Sequence, residues 1–204
     1  MKLFYSPTSP FVRKVLVVAI ERGLRDRLEL VAVQVSPLEK ASPVVRHNPA
    51  GKIPTLLLED GSTLCDSRVI VEYLDALPGG PSLLPVEPAR RWRALTLQSR
   101  ADALTDAAVL LRYETSLRPE GLRWPAFIEG QWAKVDATLD ELERGWLAHL
   151  EAHLDVGAIA VACALGYLDF RFADRAWRAT RPGLAAWLAR FAERPSLVAT
   201  RPPA

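Results

Sequence analysis

The sequence contains few cysteines and histidines, and this scarcity argues against two classes of small domain. Cys65 and Cys163 are the only cysteines among 204 residues, and they form no Cys-x-x-Cys pair. Disulfide-stapled scaffolds need several cysteines at short spacings. None of the three histidines stands near a cysteine at metal-ligand spacing. We therefore expect neither a disulfide framework nor a bound metal.

Long apolar runs and an excess of one charge are also missing. The longest apolar run covers residues 156–168, which is shorter than the roughly 20 residues that cross a bilayer. Lys and Arg total 26 against 24 Asp and Glu, and the two signs are interleaved. Nucleic-acid-binding proteins usually cluster their basic residues against phosphates. The composition predicts a cytoplasmic globular protein with no membrane or nucleic-acid partner.

The first eighty residues alternate strand and helix signals. The pattern predicts a strand at 2–5, a helix at 11–22 that ends at Gly23, and a second strand at 28–35 parallel to the first. One helical turn at 43–47 precedes two strands, 54–58 and 63–64, which flank the hairpin signal Asp60-Gly61. Asp66-Ser67 then offers the N-cap of another helix. The predicted fold is an α/β domain with a mixed four-stranded sheet.

A linker rich in proline and glycine separates this part from the rest of the chain. It begins at Pro78-Gly79-Gly80-Pro81 and continues to Pro88, and all six tryptophans follow it. No strand pattern occurs beyond the linker, where apolar spacing predicts helices at 89–116, 125–149, 155–172 and 182–192 and a short terminal helix. The predicted organisation is an α/β domain at 1–78, a linker at 79–88 and an all-helical domain at 89–204.

Ser9 is the first candidate for chemistry. It stands directly before the first predicted helix, with Pro10 at the first helical position. The unpaired N–H groups and the dipole of a helix start favour an anion such as a thiolate. Ser followed by Pro is also typical of a purely local helix cap. A serine hydrolase would be indicated by a Gly-x-Ser-x-Gly elbow, which the sequence lacks.

Two further segments can likewise be explained either by ligand binding or by local structure alone. A loop from His47 to Thr55 leads into a strand that starts at Pro54, whose missing N–H bars it from a central ladder position. The Ile53–Pro54 peptide can be cis or trans. Asp66 and Ser67 can bind a carboxylate at a helix N-terminus or can merely cap that helix.

Taken together, these segments resemble the glutathione transferase superfamily over the whole chain. The matching motifs are Ser-Pro-Phe-Val-Arg at 9–13, Asn-Pro-Ala-Gly-Lys-Ile-Pro at 48–54 and Asp-Ser-Arg-Val-Ile-Val-Glu-Tyr-Leu at 66–74. Their spacing is similar to that of bacterial, serine-type, theta- or zeta-like members. The resemblance implies a thioredoxin-like domain that binds glutathione, a helical domain that completes an electrophile pocket, and a two-fold homodimer.

The resemblance also implies roles for single residues in binding glutathione. Ser9 would donate a hydrogen bond to the sulfur and favour the thiolate. The backbone of Ile53, before a cis Pro54, would pair with the cysteinyl part of glutathione. Asp66 and Ser67 would hold the γ-glutamyl end. Lys52 and His47 would pair with the glycyl carboxylate or are simply solvated loop residues.

Residues that border the electrophile are less clearly marked. Asp102, Asp106 and Tyr113 share one face of the helix predicted at 89–116. The resemblance implies that Asp102 reaches glutathione on the other subunit, that Asp106 and Tyr113 line the electrophile pocket, and that Pro10 and Phe11 form its other wall. An ordinary polar stripe would show the same spacing.

One position departs from the family pattern. Family members often begin the helix predicted here at 155–172 with Ser or Thr followed three residues later by Asp, which forms a capping box. In this chain Asp155 can cap the helix, but Ala158 stands at the reciprocal position. Leu154 and Ile159 can still form a hydrophobic staple.

The expected activity is glutathione transfer to a small apolar electrophile, as in detoxification. Glutathione-dependent isomerisation or dehalogenation, and a non-catalytic binding or regulatory role, remain alternatives. A thiol–disulfide enzyme needs a protein thiolate where this chain has Ser9.

Overall fold

The computed structural model describes residues 1–39 and 41–203 and divides into two compact units. The first unit joins Met1–Val86 to the residues from Arg194 onward, and the second is Glu87–Glu193. The predicted helical domain at 89–204 included the C-terminal residues, whereas the structure places them with the first unit. The contacts that join them to the first unit include hydrogen bonds from Arg194 and Ser196 to Glu21, over 2.9 and 2.5 Å.

The first unit contains a mixed four-stranded sheet in the order β2-β1-β3-β4, which confirms the predicted fold class. β1 is parallel to β2 and antiparallel to β3, and β3 is antiparallel to β4. The hairpin closes at Gly61, whose φ of 85° suits a residue without a side chain. The strands are β1 (Lys2–Tyr5), β2 (Glu29–Ala32), β3 (Thr55–Leu57) and β4 (Thr63–Leu64).

Two helices pack together beside this sheet, α1 (Pro10–Glu21) and α2 (Ser67–Ala76). Arg22, which follows α1, donates to the carbonyls of Asp75 and Leu77 over 3.0 and 2.7 Å and so ties the two helix ends together. A short 3-10 helix, Pro43–Arg46, occupies the predicted helical turn. The first unit thus has the predicted order of elements, to which the structure adds a further 3-10 turn at Arg25–Arg27 between α1 and β2.

The second unit is entirely helical among the residues that the structure describes. The predicted helix at 125–149 is wrong in its extent, because the chain breaks at Trp146, where φ is −120° and ψ is −7°. This break buries the Trp146 ring beneath the Arg93 guanidinium, which lies 4.6 Å from the ring centroid. The helices are α3 (Pro88–Ser116), α4 (Pro125–Gly145), α5 (Leu147–Ala152), α6 (Val156–Arg171), α7 (Trp177–Thr180) and α8 (Pro182–Phe191), and a final helix, α9 (Pro195–Val198), belongs to the first unit.

α6 forms the core of the second unit, and its first twelve residues other than Gly166 are buried. A Cβ added at Gly157 would lie 2.7 Å from the Ala94 carbonyl oxygen and 2.8 Å from the Leu97 Cβ, so glycine permits the close approach to α3. In the described part of the chain, no single helix is long and apolar enough to cross a membrane. One bent helix pair, Val156–Arg171 with Ala173–Thr180, is long and apolar enough for a membrane span, by length and composition alone.

Candidate functional site

Strand directions bring the three candidate segments of the first unit to one edge of the sheet. β1 and β4 are both antiparallel to β3, so the ends of β1 and β4 and the start of β3 share an edge. Ser9 follows β1, Ile53 and Pro54 precede β3, and Asp66 follows β4. We call this group the sheet-edge site. Its three strands are direct neighbours, in the order β1-β3-β4.

Ser9 is the N-cap of α1. Its Oγ accepts a hydrogen bond from the Val12 N–H over 3.3 Å, and its own N–H donates to the Ser6 carbonyl over 3.1 Å. A hydroxyl that accepts still has a proton to donate. The alternative hydroxyls, those of Ser6 and Thr8, lie 3.2 Å apart and bond to each other. Capping α1 and donating to a ligand are therefore compatible roles for Ser9.

Asp66 is the N-cap of α2. Its Oδ1 accepts from the Arg68 N–H over 2.9 Å, and its Oδ2 lies 2.8 Å from Nη2 of the Arg68 side chain. These hydrogen bonds from Arg68 lower the pKa of Asp66, although partial burial opposes them, and the positive charge of Lys14 adds to the lowering. Ser67, the first residue of α2, is buried. The site therefore presents an ionised carboxylate at a helix start.

Sequence reasoning did not identify Lys14 and Arg68 as neighbours of Asp66. Lys14 is only 1% exposed although it is charged, and it lies on α1. Arg68 stands two residues after the cap, and this position is the only sequence signal for its contact. The burial of Lys14 depends on the packing of α1 against α2, which local patterns do not reveal.

The segment before β3 is held by side chains of its own loop. Asn48 Nδ2 donates to the Lys52 carbonyl and to Thr55 Oγ1, each over 3.1 Å. The Ile53–Pro54 peptide is cis, and the Ile53 side chain packs in a core cluster with Phe4, Val12 and Val44. In the described ranges, no hydrogen bond uses the backbone N–H or C=O of Ile53. Ile53 therefore keeps a backbone donor and an acceptor for a ligand.

The two residues proposed for the glycyl carboxylate differ in their surroundings. Lys52 is exposed, and its backbone carbonyl accepts from Asn48 Nδ2 and Thr55 Oγ1 over 3.1 and 2.9 Å. His47 is half-buried and stacks on Phe4 with ring centroids 4.8 Å apart, and its carbonyl accepts from Thr63 Oγ1 over 3.0 Å. His47 thus has a packing role against the sheet.

The residues predicted to border the electrophile, together with Asp102, lie in separate units. Pro10 is buried at the start of α1 and Phe11 is half-buried beside it. In the second unit Asp102, Asp106 and Tyr113 lie on α3, where Asp102 is half-buried and Asp106 is exposed. Burial raises the pKa of Tyr113.

A thioredoxin-like sheet with a polar edge, followed by a helical unit, defines a recognised class of two-domain protein. The chain matches the family model for the glutathione S-transferase N-terminal domain at residues 8–77 and that for the C-terminal domain at 125–190. It is 33% identical to the uncharacterized GST-like protein YibF of Escherichia coli across 100% of this chain and 99% of that protein. The chain therefore belongs to the glutathione S-transferase family.

Solved structures agree with this assignment. A glutathione transferase family member from Pseudomonas fluorescens with bound glutathione is 47% identical, with a TM-score of 0.97 over 100% of this chain and 99% of that one. A second structure from the same species, with bound S-(propanoic acid)-glutathione, is 47% identical with a TM-score of 0.93 over 100% of both chains. A glutathione S-transferase from Methylobacillus flagellatus with bound glutathione is 39% identical, with a TM-score of 0.86 over 99% of both chains.

Proposed function

We propose that the chain is a glutathione-dependent transferase that stabilises the glutathione thiolate with Ser9 and adds it to a small apolar electrophile. The observation that supports this most strongly is the sheet-edge site. One edge combines a hydroxyl with a spare proton, an ionised carboxylate at the start of α2, and a backbone N–H and C=O of Ile53 that no hydrogen bond among the described residues uses. A tripeptide with a thiol, an ammonium and carboxylates is complementary to this set.

Each group of the site has an assigned partner on glutathione. We assign the Asp66 carboxylate to the γ-glutamyl ammonium, and Ser67 with the N-terminus of α2 to the γ-glutamyl carboxylate. Ile53 pairs with the cysteinyl backbone through its N–H and C=O. Lys52 pairs with the glycyl carboxylate, and His47 assists it. Because Arg68 already neutralises Asp66, the carboxylate must be shared between Arg68 and the ammonium.

Ser9 acts on the sulfur in this proposal. A hydrogen bond from its hydroxyl favours the thiolate over the thiol, and the N-terminus of α1 has the same effect. Bound glutathione supplies the sulfur nucleophile; in a displacement its lone pair forms the S–C bond while the leaving group departs with its bonding pair. Pro10 and Phe11 contact the electrophile in the first unit. In a homodimer, Asp102 serves glutathione of the other subunit.

Calorimetry with glutathione tests the binding half of the proposal. Asn at position 66 remains a good helix cap, so Asp66→Asn removes the charge while it keeps the cap. Loss of a charge-assisted hydrogen bond is expected to weaken binding by about 1–3 kcal/mol. Asp26→Asn is the matched control, because Asp26 is exposed in the turn between α1 and β2, at the other edge of the sheet. Equal affinities for wild type and Asp66→Asn would contradict the assignment.

Turnover tests the chemical half. A panel of electrophiles, assayed for loss of free thiol, for halide release and for isomerised product, separates conjugation from dehalogenation and isomerisation. Glutathione binding without turnover of any member would favour a binding or regulatory protein on the same fold.

A further inference from the structure

The loop before β3 is organised around Asn48, a buried asparagine whose side-chain atoms are all engaged within the first unit. Its Oδ1 accepts from the Ala50 N–H over 3.1 Å. The two hydrogens of its amide nitrogen serve the Lys52 carbonyl and Thr55 Oγ1, each over 3.1 Å. An N–H and a carbonyl need opposite partners, so these contacts fit only one orientation of the amide. Asn48 thus joins the turn at Ala50 to the start of β3.

The Lys52 carbonyl is held by two buried side chains. Asn48 Nδ2 and Thr55 Oγ1 both donate to it, over 3.1 and 2.9 Å. Asn48 is 6% exposed, and Thr55 on β3 is fully buried. A carbonyl oxygen has two lone pairs, so both are used and the oxygen points into the first unit. Rotation of this peptide is costly, because it would leave two buried donors without an acceptor.

The direction of this carbonyl determines the direction of the next N–H. The Lys52 C=O and the Ile53 N–H belong to one planar trans peptide group, in which the two bonds point in opposite directions. Because Asn48 and Thr55 hold the carbonyl on the inner side, the Ile53 N–H points away from them. Among residues 1–39 and 41–203, no hydrogen bond uses this N–H. The loop therefore holds an unused backbone donor in a fixed direction.

Ile53 is anchored a second time through its side chain, which packs in the core cluster with Phe4, Val12 and Val44. This packing fixes the position of the residue, whereas the bonds to the preceding carbonyl fix the rotation of its N–H. Val12 also connects the cluster to Ser9, because the Val12 N–H donates to Ser9 Oγ over 3.3 Å. The Ile53 N–H and the Ser9 hydroxyl are therefore held by one connected set of contacts.

We propose that Asn48 and Thr55 are positioning residues for glutathione. The proposal rests on the proposed function, in which Ile53 pairs with the cysteinyl backbone. Asn48 and Thr55 do not contact the ligand; they hold the Lys52 carbonyl so that the Ile53 N–H is aimed at the cysteinyl carbonyl before glutathione arrives. Without them the peptide would become ordered only on binding, and this cost would reduce the affinity. The same bond sets the register of the tripeptide and so places its sulfur beside Ser9.

Two ligands isolate the hydrogen bond to the cysteinyl carbonyl. One is glutathione, and the other is an analogue in which a trans CH=CH group replaces the Cys–Gly peptide bond. The analogue keeps the shape, the thiol and the charged groups but has no carbonyl to accept from Ile53. It also lacks the glycyl N–H, a difference that is the same for every variant. By calorimetry, the wild type should bind glutathione about 5–10-fold more tightly than the analogue, the scale of one neutral hydrogen bond.

Variants then assign this preference to the two side chains. Thr55→Val keeps the branched shape but removes the hydroxyl, and Asn48→Asp keeps the acceptor for the Ala50 N–H but removes the amide donor. Each is expected to lower the ratio to less than about 2-fold, by weakening glutathione more than the analogue. Thr55→Ser retains a hydroxyl and should restore the wild-type ratio. Thr63→Val is the matched control, because Thr63 Oγ1 donates over 3.0 Å to a different carbonyl of the loop, that of His47.

The outcomes distinguish this proposal from the function on which it rests. If neither ligand binds the wild type, the proposed function is refuted and the inference falls with it. Equal binding of both ligands by the wild type would overturn the inference and leave glutathione binding intact. A ratio that persists in Thr55→Val and Asn48→Asp would do the same, because a variant that merely damages the loop weakens both ligands by one factor. An equal fall of the ratio in Thr63→Val would contradict a specific role for the Lys52 carbonyl.

Discussion

His149 and Asp155 are joined by a buried hydrogen bond of 2.9 Å between Nε2 of the imidazole and Oδ2 of the carboxylate. Arg93 donates its Nε–H to Nδ1 of the same ring over 3.2 Å, so Nδ1 is an acceptor and Nε2 carries the proton. The other oxygen of Asp155 caps α6 by accepting the Ala158 N–H over 2.9 Å. His149 thus orients the capping carboxylate from α5, which is a different contact from the missing half of the capping box, where a side chain at position 158 would accept from the Asp155 backbone N–H.

This arrangement predicts that the protein loses stability when His149 becomes protonated. Burial lowers the pKa of His149, the nearby charges of His153 and Arg93 lower it further, and Asp155 only partly opposes them. The unfolded chain therefore takes up the proton first, and the contribution to the free energy of unfolding is full above about pH 6.5 and falls as the pH drops through the folded pKa. Urea midpoints measured between about pH 5 and 8 should show this decline.

The matched comparison is between His149→Gln and His153→Gln. His149→Gln should flatten the decline toward low pH, because it removes the group that titrates. His153→Gln should keep the decline, since His153 is half-buried and contacts Arg90 at 3.5 Å rather than the cap. Parallel pH profiles for wild type and His149→Gln would show that another group is responsible.

Glu21 should anchor the C-terminal residues to the first unit. Burial by itself raises the pKa of Glu21, but hydrogen bonds from Arg194 and Ser196 outweigh it, so the net pKa is lowered. Glu21→Ala leaves two donors without their acceptor and is expected to lower the free energy of unfolding by about 1–2 kcal/mol, because Arg194 is partly exposed. In the wild type, the Glu21 carboxylate contributes its full share to the free energy of unfolding above about pH 4.5, and this share falls as the carboxylate is protonated.

Urea unfolding near neutral pH measures this loss. Glu29→Ala is the control, because the exposed pair of Glu29 with Lys2 should contribute less than about 1 kcal/mol. An effect of Glu21→Ala no larger than that of Glu29→Ala would show that the C-terminal helix is held by apolar packing instead.

The fold was predictable where the signals are local. Gly23 after α1, the Asp60-Gly61 turn and the Asp66 cap each determine an element boundary through neighbouring residues. Features that depend on packing were missed: the burial of Lys14, the break at Trp146 and the return of Arg194 to the first unit. For the candidate site, motif order indicated Ser9, Ile53 and Asp66, whereas Lys14 had no local signal, because its burial depends on the packing of α1 against α2.

We predict that the chain forms a two-fold homodimer through α2 and α3. Large apolar side chains remain exposed on these helices, with Val69 47%, Trp92 66% and Leu110 43% exposed. Such side chains become buried when a second copy covers the helices. Light scattering at micromolar concentration should give twice the chain mass. Leu110→Arg is expected to shift the protein toward monomer, and Leu122→Arg, in the exposed segment after α3, is the control; a wild-type monomer would refute the prediction.

The last prediction concerns Ser9, which decides the type of chemistry. If its hydroxyl donates to the glutathione sulfur, Ser9→Ala raises the pKa of the bound thiol while other contacts still hold the tripeptide. A hydrogen bond to a charged group is worth roughly 1.5–3 kcal/mol, so a rise of about 1–2 pH units is expected. The ultraviolet absorbance of bound thiolate, titrated against pH, measures the shift directly. Turnover near neutral pH should fall with the thiolate fraction.

Because Ser9 also caps α1, the test needs variants that separate the two roles. Glycine is tolerated as a helix cap at a cost of only about a few tenths of a kcal/mol, but it has no hydroxyl. Ser9→Gly should therefore shift the pKa of the bound thiol as much as Ser9→Ala does, with less loss of stability. Ser6→Ala and Thr8→Val remove the two hydroxyls that bond to each other and should leave the curve in place. Ser9→Cys should lose conjugation and form a mixed disulfide, because a helix start stabilises a thiolate. If the thiolate titration curve is unshifted in Ser9→Gly but shifted in Ser6→Ala, the donor to the glutathione sulfur is Ser6, whose hydroxyl lies in the same loop.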